Sequence, residues 1–561
     1  MASEAASGTR QRAPKRKGAR VASEPEVSTP GSAAQRTLLG RLLVVFLFLG
    51  LCYLVVLCAW QSDDAYITFR TVRNAWSGHG LTWNPGERVQ AYTHPLWMIL
   101  CLGCYGISHD VYYSTLVVSI LLAATAAALI VRCTRGSVGL SALALLLLGT
   151  SGAFVDYSTS GLENPLLYLL LVVFVGVARR ENSLPRLRQL SLLTSAAGLT
   201  RIDSLLIVLP ATLRSALQLR REPRAVATLI SGLLPLLVWE AFSLTYYGSL
   251  VPNSALAKLN IEIPLGSLVY QGQLYFLDSL ARDPVTLTAI AAALAIGLTR
   301  AGAAYRPIHA GLGLYLIYLL RIGGDFMSGR FFAAPFVAAV AVLVGFLADR
   351  PRGAIRPPWL VPALAGALCL FGLFWPGTRW TSNIQYGVGL TFPEIVRPTG
   401  IADERAYYYP STGLMRLAML GSKVRKPGDP LPPYPGATEG VRFAQSPQQV
   451  AVWDEAGCFG FFSGDKTVID VWALADPLLA RIPFRPGGAW RIGHYARRLP
   501  PGYLESRQQG KNLMQDPELA RCYEGLVLVT RGPLFSASRW REIWRFQTGH
   551  YAAVLHRQSG V

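Results

Sequence analysis

Two aspartates, Asp63 and Asp64, stand side by side three residues after the first long apolar run, in Trp60-Gln61-Ser62-Asp63-Asp64-Ala65-Tyr66-Ile67-Thr68-Phe69-Arg70. Adjacent carboxylates repel each other and resist burial. At the exit of a membrane span such a pair reads as chemistry and not as packing, which makes the chain a candidate membrane enzyme. The polar loop that follows, Asn84-Pro85-Gly86-Glu87-Arg88-Val89-Gln90-Ala91-Tyr92-Thr93-His94-Pro95-Leu96-Trp97, gathers Glu, His and aromatic side chains directly ahead of a second, shorter apolar stretch.

Composition decides what must hold these residues. Of 561 residues 52% are hydrophobic and only 15% charged, and the apolar residues fall in runs, so the fold class is a polytopic α-helical membrane protein. A net charge of +20 would point to nucleic acid in a soluble chain. Here the Arg residues cluster in short loops between apolar runs, the signature of cytoplasmic loops, and no nucleic-acid partner is expected. Residues 1–38, with Arg10, Arg12, Lys15, Arg16, Lys17 and Arg20 and no apolar periodicity, read as a disordered basic cytoplasmic leader.

Nine runs read as full crossings: 39–60, 111–131, 138–155, 165–178, 225–247, 285–298, 308–322, 331–347 and 359–375. Basic loops at 132–135, 179–188, 214–224, 300–306 and 350–356 agree on one side of the membrane. Residues 95–107 are too few to cross and are placed as a re-entrant helix on the outer side. Residues 190–213 lie between two basic loops and are interrupted by Gly198-Leu199-Thr200-Arg201-Ile202-Asp203, which predicts a hairpin of two short helices with a polar apex buried in protein or lining a cavity. Read as a helix, the segment from Asp63 carries an apolar stripe of Ala65, Phe69, Val72 and Trp76 with Asp63, Arg70 and Asn74 toward another face, suited to lying on the membrane beside a cavity.

After residue 375 the long apolar runs end. Residues 376–561 gain Pro, Gly, Arg and aromatics, with short strand-like pieces such as Leu526-Val527-Leu528-Val529, and read as an extracytoplasmic soluble α/β or β-rich domain large enough for its own core. The resulting division is 1–38 leader, 39–375 transmembrane domain and 376–561 outer domain. Cys458 and Cys522 are the only cysteines in that last segment, so a disulfide is permitted there but not required. Zinc-ligand spacing, a Walker loop and a dinucleotide fingerprint are all missing from the sequence.

The stretch 63–97, with its Asp-Asp-Ala, Asn-Pro-Gly-Glu-Arg-Val and Tyr-Thr-x-Pro-Leu-Trp patterns, resembles the first extracytoplasmic loop of GT-C membrane glycosyltransferases, and within them the AftB arabinofuranosyltransferase family of actinobacterial cell-wall synthesis. The similarity continues in Ser160-Gly161-Leu162-Glu163, Pro252-Asn253-Ser254 to Lys258, Gly323 to Phe331, Ile469-Asp470 and Gly493-His494. It implies a GT-C fold of about eleven membrane segments in a bacterial plasma membrane, with the active site and a carbohydrate-binding domain on the extracytoplasmic side. Its donor would be decaprenyl-phosphate-arabinofuranose, and its acceptor an arabinan or lipoarabinomannan that receives a terminal β-(1→2) residue.

A polyprenyl donor cannot leave the bilayer, so cations and a carboxylate must meet it at the surface. On this reading Asp63 acts at the reacting centre and Asp64 supports it, with the reverse order left open. Arg70, Arg201, Lys258 and Arg330 face the phosphate, while His94, Glu163, Asp325 and His494 support the site or the acceptor. Whether a divalent cation takes part is left open. Each residue has a plainer role: boundary Arg residues anchor headgroups, Glu163 can cap the helix entering at Pro165, lone histidines are structural, and Trp453, Trp472 and Trp490 can be core. The alternatives in function are another polyprenyl-phosphate-sugar transferase, mannosyl or pilin-modifying, and a non-catalytic transporter or assembly protein.

Overall fold

A computed structural model describes residues 30–351, 357 and 359–560. Most of the expected leader, and much of the basic loop at 350–356, lie outside the described residues. The first helix begins inside the predicted leader, at Pro30, and runs to Leu57, since Pro is tolerated in a first helical turn.

The chain is a multi-pass α-helical membrane protein. Four helical stretches are long and apolar enough to cross a bilayer: Leu38–Leu57, Val111–Cys133, Ala225–Tyr246 and Arg330–Ala348. A bent pair, Leu265–Arg282 and Pro284–Leu298, meets at 110°. The other expected crossings include shorter apolar helices such as Val138–Thr150, Asn164–Ala178 and Leu360–Phe374. The 13-residue member of that group rises only about 20 Å at ~1.5 Å per residue.

The segment 190–213 is a hairpin. Helices Leu184–Thr200 and Leu205–Gln218 flank a short turn at Ile202–Ser204. Thr194 and Thr212 hydroxyls bond across it at 2.7 Å, and Asn182 bonds Ser215 at its base. Antiparallel packing of two helices carries Arg201 and Asp203 to the apex. The short helix Pro95–Ser108, with Pro at its start, packs beside Asp63–Trp76.

Two expectations need correction. The Asp63–Trp76 helix does not lie on the membrane with one face free: Tyr66, Ile67, Thr68, Arg70, Thr71 and Asn74 are buried along with Ala65, Phe69 and Val72 of its apolar stripe, while Trp76 at its end stays exposed, because the helix Ala456–Phe462 docks across it. The C-terminal region is also not β-rich. Among the described residues it holds two short strands, Val450–Trp453 and Thr467–Asp470, parallel in the register Val450↔Thr467 and joined through the Ala456–Phe462 helix. The strand-like Leu526-Val527-Leu528-Val529 lies within the helix Pro517–Arg531. Asp516 caps that helix, Pro517 starts it, and Leu519, Cys522, Tyr523, Leu526 and Val529 form its buried face. The 3.6-residue periodicity over four turns prevails over a four-residue apolar run.

The C-terminal core incorporates residues from the first loop. Ile67, Trp83, Ala91 and Ala257 share one buried cluster with Phe443, Phe459, Val468, Leu478 and Tyr503. Tyr408 and Tyr409 pack instead into the large cluster of the membrane helices. Glu87, in the first loop, is clasped by both arms of the Arg507 guanidinium at 2.6 and 2.9 Å. Cys458 and Cys522 are both free and buried.

Candidate active site

Where the hairpin apex, the first loop and the C-terminal region converge, two cavities adjoin. One, of about 260 Å³, is lined by Asp64, Thr68, His94, Arg201, Asp203, Lys258, Asp325 and Arg330, with Ile202, Leu259, Ile322 and Phe331 providing apolar wall. The other, of about 200 Å³, is lined by Asp63, Asp64, Lys258, Glu404, Tyr407, Tyr408, Glu455, Trp472, Arg491 and His494. Asp64 and Lys258 face both.

The paired aspartates have separate roles. Asp63 is buried and accepts hydrogen bonds from the backbone N–H groups of Gly457 and Cys458 at 2.9 and 2.7 Å. Glycine is required at 457, since a Cβ there would stand 1.9 Å from the Asp63 carbonyl oxygen. Burial, and then Glu455 nearby, push Asp63 up to about 7 against the pull of those two N–H groups. Asp64 makes no hydrogen bond or ion pair among the described residues and projects into both cavities. Successive helix positions point about 100° apart, so only one carboxylate of an adjacent pair can face a given cavity squarely. Asp63 is tied down by the C-terminal region, and Asp64 is the carboxylate of the pair that reaches both cavities.

Glu163 does not line either cavity but organises one wall. Fully buried, it sits 2.7 Å from Arg201, 3.4 Å from Arg330 and 3.2 Å from His94 Nδ1. Arg201 also forks Asp203 at 2.9 and 2.5 Å, and Arg330 lies 3.8 Å from Asp325. These two cations are therefore partly neutralised before any ligand arrives. Lys258 has no carboxylate partner among the described residues and stands 5.8 Å over the Phe326 ring. The Arg330 Nε is buried without a partner. Lys258 and that Nε are the donors left for an anion.

Arg70 is misplaced in the sequence reading. Its guanidinium donates to the carbonyls of Trp83, Gly460 and Lys466 at 2.7, 2.6 and 2.6 Å and stacks 4.4 Å over Trp83. It bridges the first loop to the C-terminal region and reaches neither cavity. Asp325 is buried, and its own Oδ1 accepts from the Phe326 N–H. His494 is wedged between Phe326 and Trp472, ring centroids 4.4 and 4.6 Å away, and burial together with Arg491 pushes it down to about 3. It is a neutral wall residue that positions Trp472.

Glu404, Glu455, Tyr407 and Tyr408 escaped the sequence reading. Burial raises Glu404 to about 8 although Arg491 stands 3.7 Å away, and Glu455 is held by the Tyr434 hydroxyl at 2.6 Å. No longer motif marks them; the sequence signals were two further acidic pairs, Asp403-Glu404 and Asp454-Glu455. Among the described residues no group of three His, Cys, Asp or Glu side chains is placed to hold a metal ion.

The terminal β-(1→2)-arabinofuranosyltransferase of Mycobacterium tuberculosis is 28% identical over 78% of this chain and 80% of its own. The enzyme of the same name from Corynebacterium glutamicum is 29% identical over 50% of this chain and 47% of its own. The chain is a homologue of these arabinofuranosyltransferases. No family model matches it. Among solved structures, ArnT from Cupriavidus metallidurans bound to undecaprenyl phosphate superposes with a TM-score of 0.41 at 13% identity, over 76% of this chain and 85% of that one. As in any homologue at such identity, which residues face the cavities here is read from this chain's own geometry.

Proposed function

We propose that this chain is a GT-C type membrane glycosyltransferase that moves arabinofuranose from a polyprenyl-phosphate donor to a cell-wall arabinan or lipoarabinomannan. The observation that carries the reading is the position of Asp64: an unpartnered carboxylate at the junction of two cavities, one with free cationic donors and apolar wall, the other with aromatics and carboxylates. The first suits a lipid-linked sugar phosphate, which needs charge-assisted contacts to its phosphate and a greasy approach for its chain. Lys258 and Arg330 hold the phosphate, with Arg201 behind them. The second suits a sugar acceptor, which Trp472 and Tyr408 can stack and Glu404 and Glu455 can hydrogen-bond. Most of its lining comes from the C-terminal region, which supports a role for that region in holding the acceptor.

In this arrangement Asp64 acts at the reacting centre and Asp63 holds the Ala456–Phe462 helix against the site. The name of the relatives specifies a β-(1→2) product. With a β-linked donor that outcome is net retention, and a single displacement would invert. Retention therefore takes either two displacements through a sugar–carboxylate ester on Asp64 or attack from the face the phosphate leaves. The site is placed on the extracytoplasmic face, opposite the basic loops.

The test is transfer from labelled decaprenyl-phosphate-arabinofuranose to arabinan oligosaccharides by the purified full-length protein, with linkage analysis of the product. Asp64→Asn should lower kcat by about 10³-fold or more while the donor still binds, because the carboxylate is needed most in the transition state. Arg330→Ala should instead weaken donor binding. Wild-type protein inert with the arabinose donor but active with a mannose donor would overturn the sugar assignment.

A further inference from the structure

Thr68 stands one helical turn beyond Asp64 and lines the same cavity, so the two side chains share a face of the helix about 5–6 Å apart. Its hydroxyl has one partner among the described residues, His94 Nε2 at 2.8 Å. On the other side of that ring, Nδ1 lies 3.2 Å from Glu163 Oε2. That contact has an ion-pair distance without hydrogen-bond geometry; a carboxylate only accepts, so the tautomer it favours is the one with the proton on the nitrogen that faces it, Nδ1. Glu163 also pairs with Arg201 and Arg330, which fixes its place behind the ring. In the tautomer with its proton on Nδ1 the ring offers a lone pair at Nε2, and the Thr68 hydroxyl donates to it. The oxygen's remaining lone pair is then left to the cavity, between Asp64 and the cation wall.

We propose that Thr68 is a sugar-binding residue: it accepts a hydrogen bond from one ring hydroxyl of the lipid-linked donor, and His94 and Glu163 are positioning residues that fix the direction of its hydroxyl. The inference rests on reading this cavity as the donor site and names a group that selects the sugar within it. Cations at one end can hold any sugar phosphate. A threonine locked as an acceptor, one turn from the carboxylate at the anomeric carbon, distinguishes a sugar with a hydroxyl at the matching position from one without it, because an unmatched buried oxygen is left unpaired.

The experiment pairs variants with donors. Wild type, Thr68→Val, Thr68→Ser and Glu163→Gln are assayed with decaprenyl-phosphate-arabinofuranose and with analogues lacking one hydroxyl each, at C2, C3 or C5. Thr68→Val should lower kcat/KM on the parent donor about tenfold in a variant that still folds, and Thr68→Ser should keep near wild-type behaviour. On one analogue wild type and Thr68→Val should become equal. The fluoro version of that analogue, which cannot donate a hydrogen bond, should behave like the deoxy one. Glu163→Gln should blunt the same preference, a change that a merely structural role would not produce. An equal Thr68→Val penalty on every donor, or wild type using the fluoro donor as well as the parent, overturns the assignment. Wild type inert with every arabinose donor overturns the donor-site reading and this inference with it.

Discussion

Replacing Glu87 with glutamine should loosen the C-terminal region from the first loop, and the structure sets the size of the effect. Glu87 and Arg507 are both almost fully buried, with side-chain exposures of 3% and 2%. Burial works to raise the carboxyl, but the charge and hydrogen bonds of Arg507, with Arg531 behind it, hold it at about 2 against an ordinary 4.5. A drop of that size corresponds to about 3 kcal/mol of stability at neutral pH. Breaking a buried ion pair from one side costs roughly 3–5 kcal/mol, since the remaining guanidinium is stranded, so the two routes agree near the lower figure. Arg531, 43% exposed, adds little because solvent screens it. A carboxyl whose value is depressed on folding stabilises above its unfolded value and stops doing so as pH falls through its folded one. The deficit of Glu87→Gln should therefore be full at pH 7, shrink below about pH 4.5 and vanish near 2. Thermal unfolding of the detergent-solubilised full chain, followed by tryptophan fluorescence across that range, reads it out. The double variant Glu87→Leu with Arg507→Met should regain much of the loss, since apolar groups of similar volume can replace a buried pair. A Glu87→Gln variant within about 0.5 kcal/mol of wild type, or a deficit that does not change with pH, would refute the reasoning.

Two further outcomes follow from the separate roles of neighbouring groups. Asp63 is raised from 3.8 to about 7, so the folded chain gives up stability as pH climbs through that window and its buried carboxyl ionises; unfolding of Asp63→Asn against wild type should shift in the variant's favour from about pH 4 to about pH 7, and a pH-independent difference would contradict the burial of this group. Arg70→Met should cut the yield of folded protein, because it removes the guanidinium that ties the carbonyls of Trp83, Gly460 and Lys466 together, yet leave donor affinity of the folded fraction unchanged; a folded variant with weakened donor binding would return Arg70 to the phosphate.

The sequence by itself determined what depends on neighbours in the chain. Lengths of apolar runs mark membrane helices, because hydrocarbon thickness demands them. The polar interruption at 198–203 made a hairpin legible, and adjacent carboxylates after a span marked Asp63 and Asp64. Helix capping at Asp516 and Pro517 was also written locally; the strand reading of 526–529 failed by weighing four residues over the fifteen of the helix. Tertiary structure alone decided which aspartate is tied down by backbone N–H groups and which is left open to both cavities. Asp63 is buried only because residues 456–462, nearly 400 positions later, dock on its helix and point Gly457 and Cys458 N–H groups at it. The same docking turned Arg70 from a surface cation into a buried strut. Glu404, Glu455 and Trp472 entered the site for the same reason. A side chain's environment is the sum of whatever packs against it, and for residues hundreds of positions apart neither spacing nor periodicity encodes which surfaces will meet.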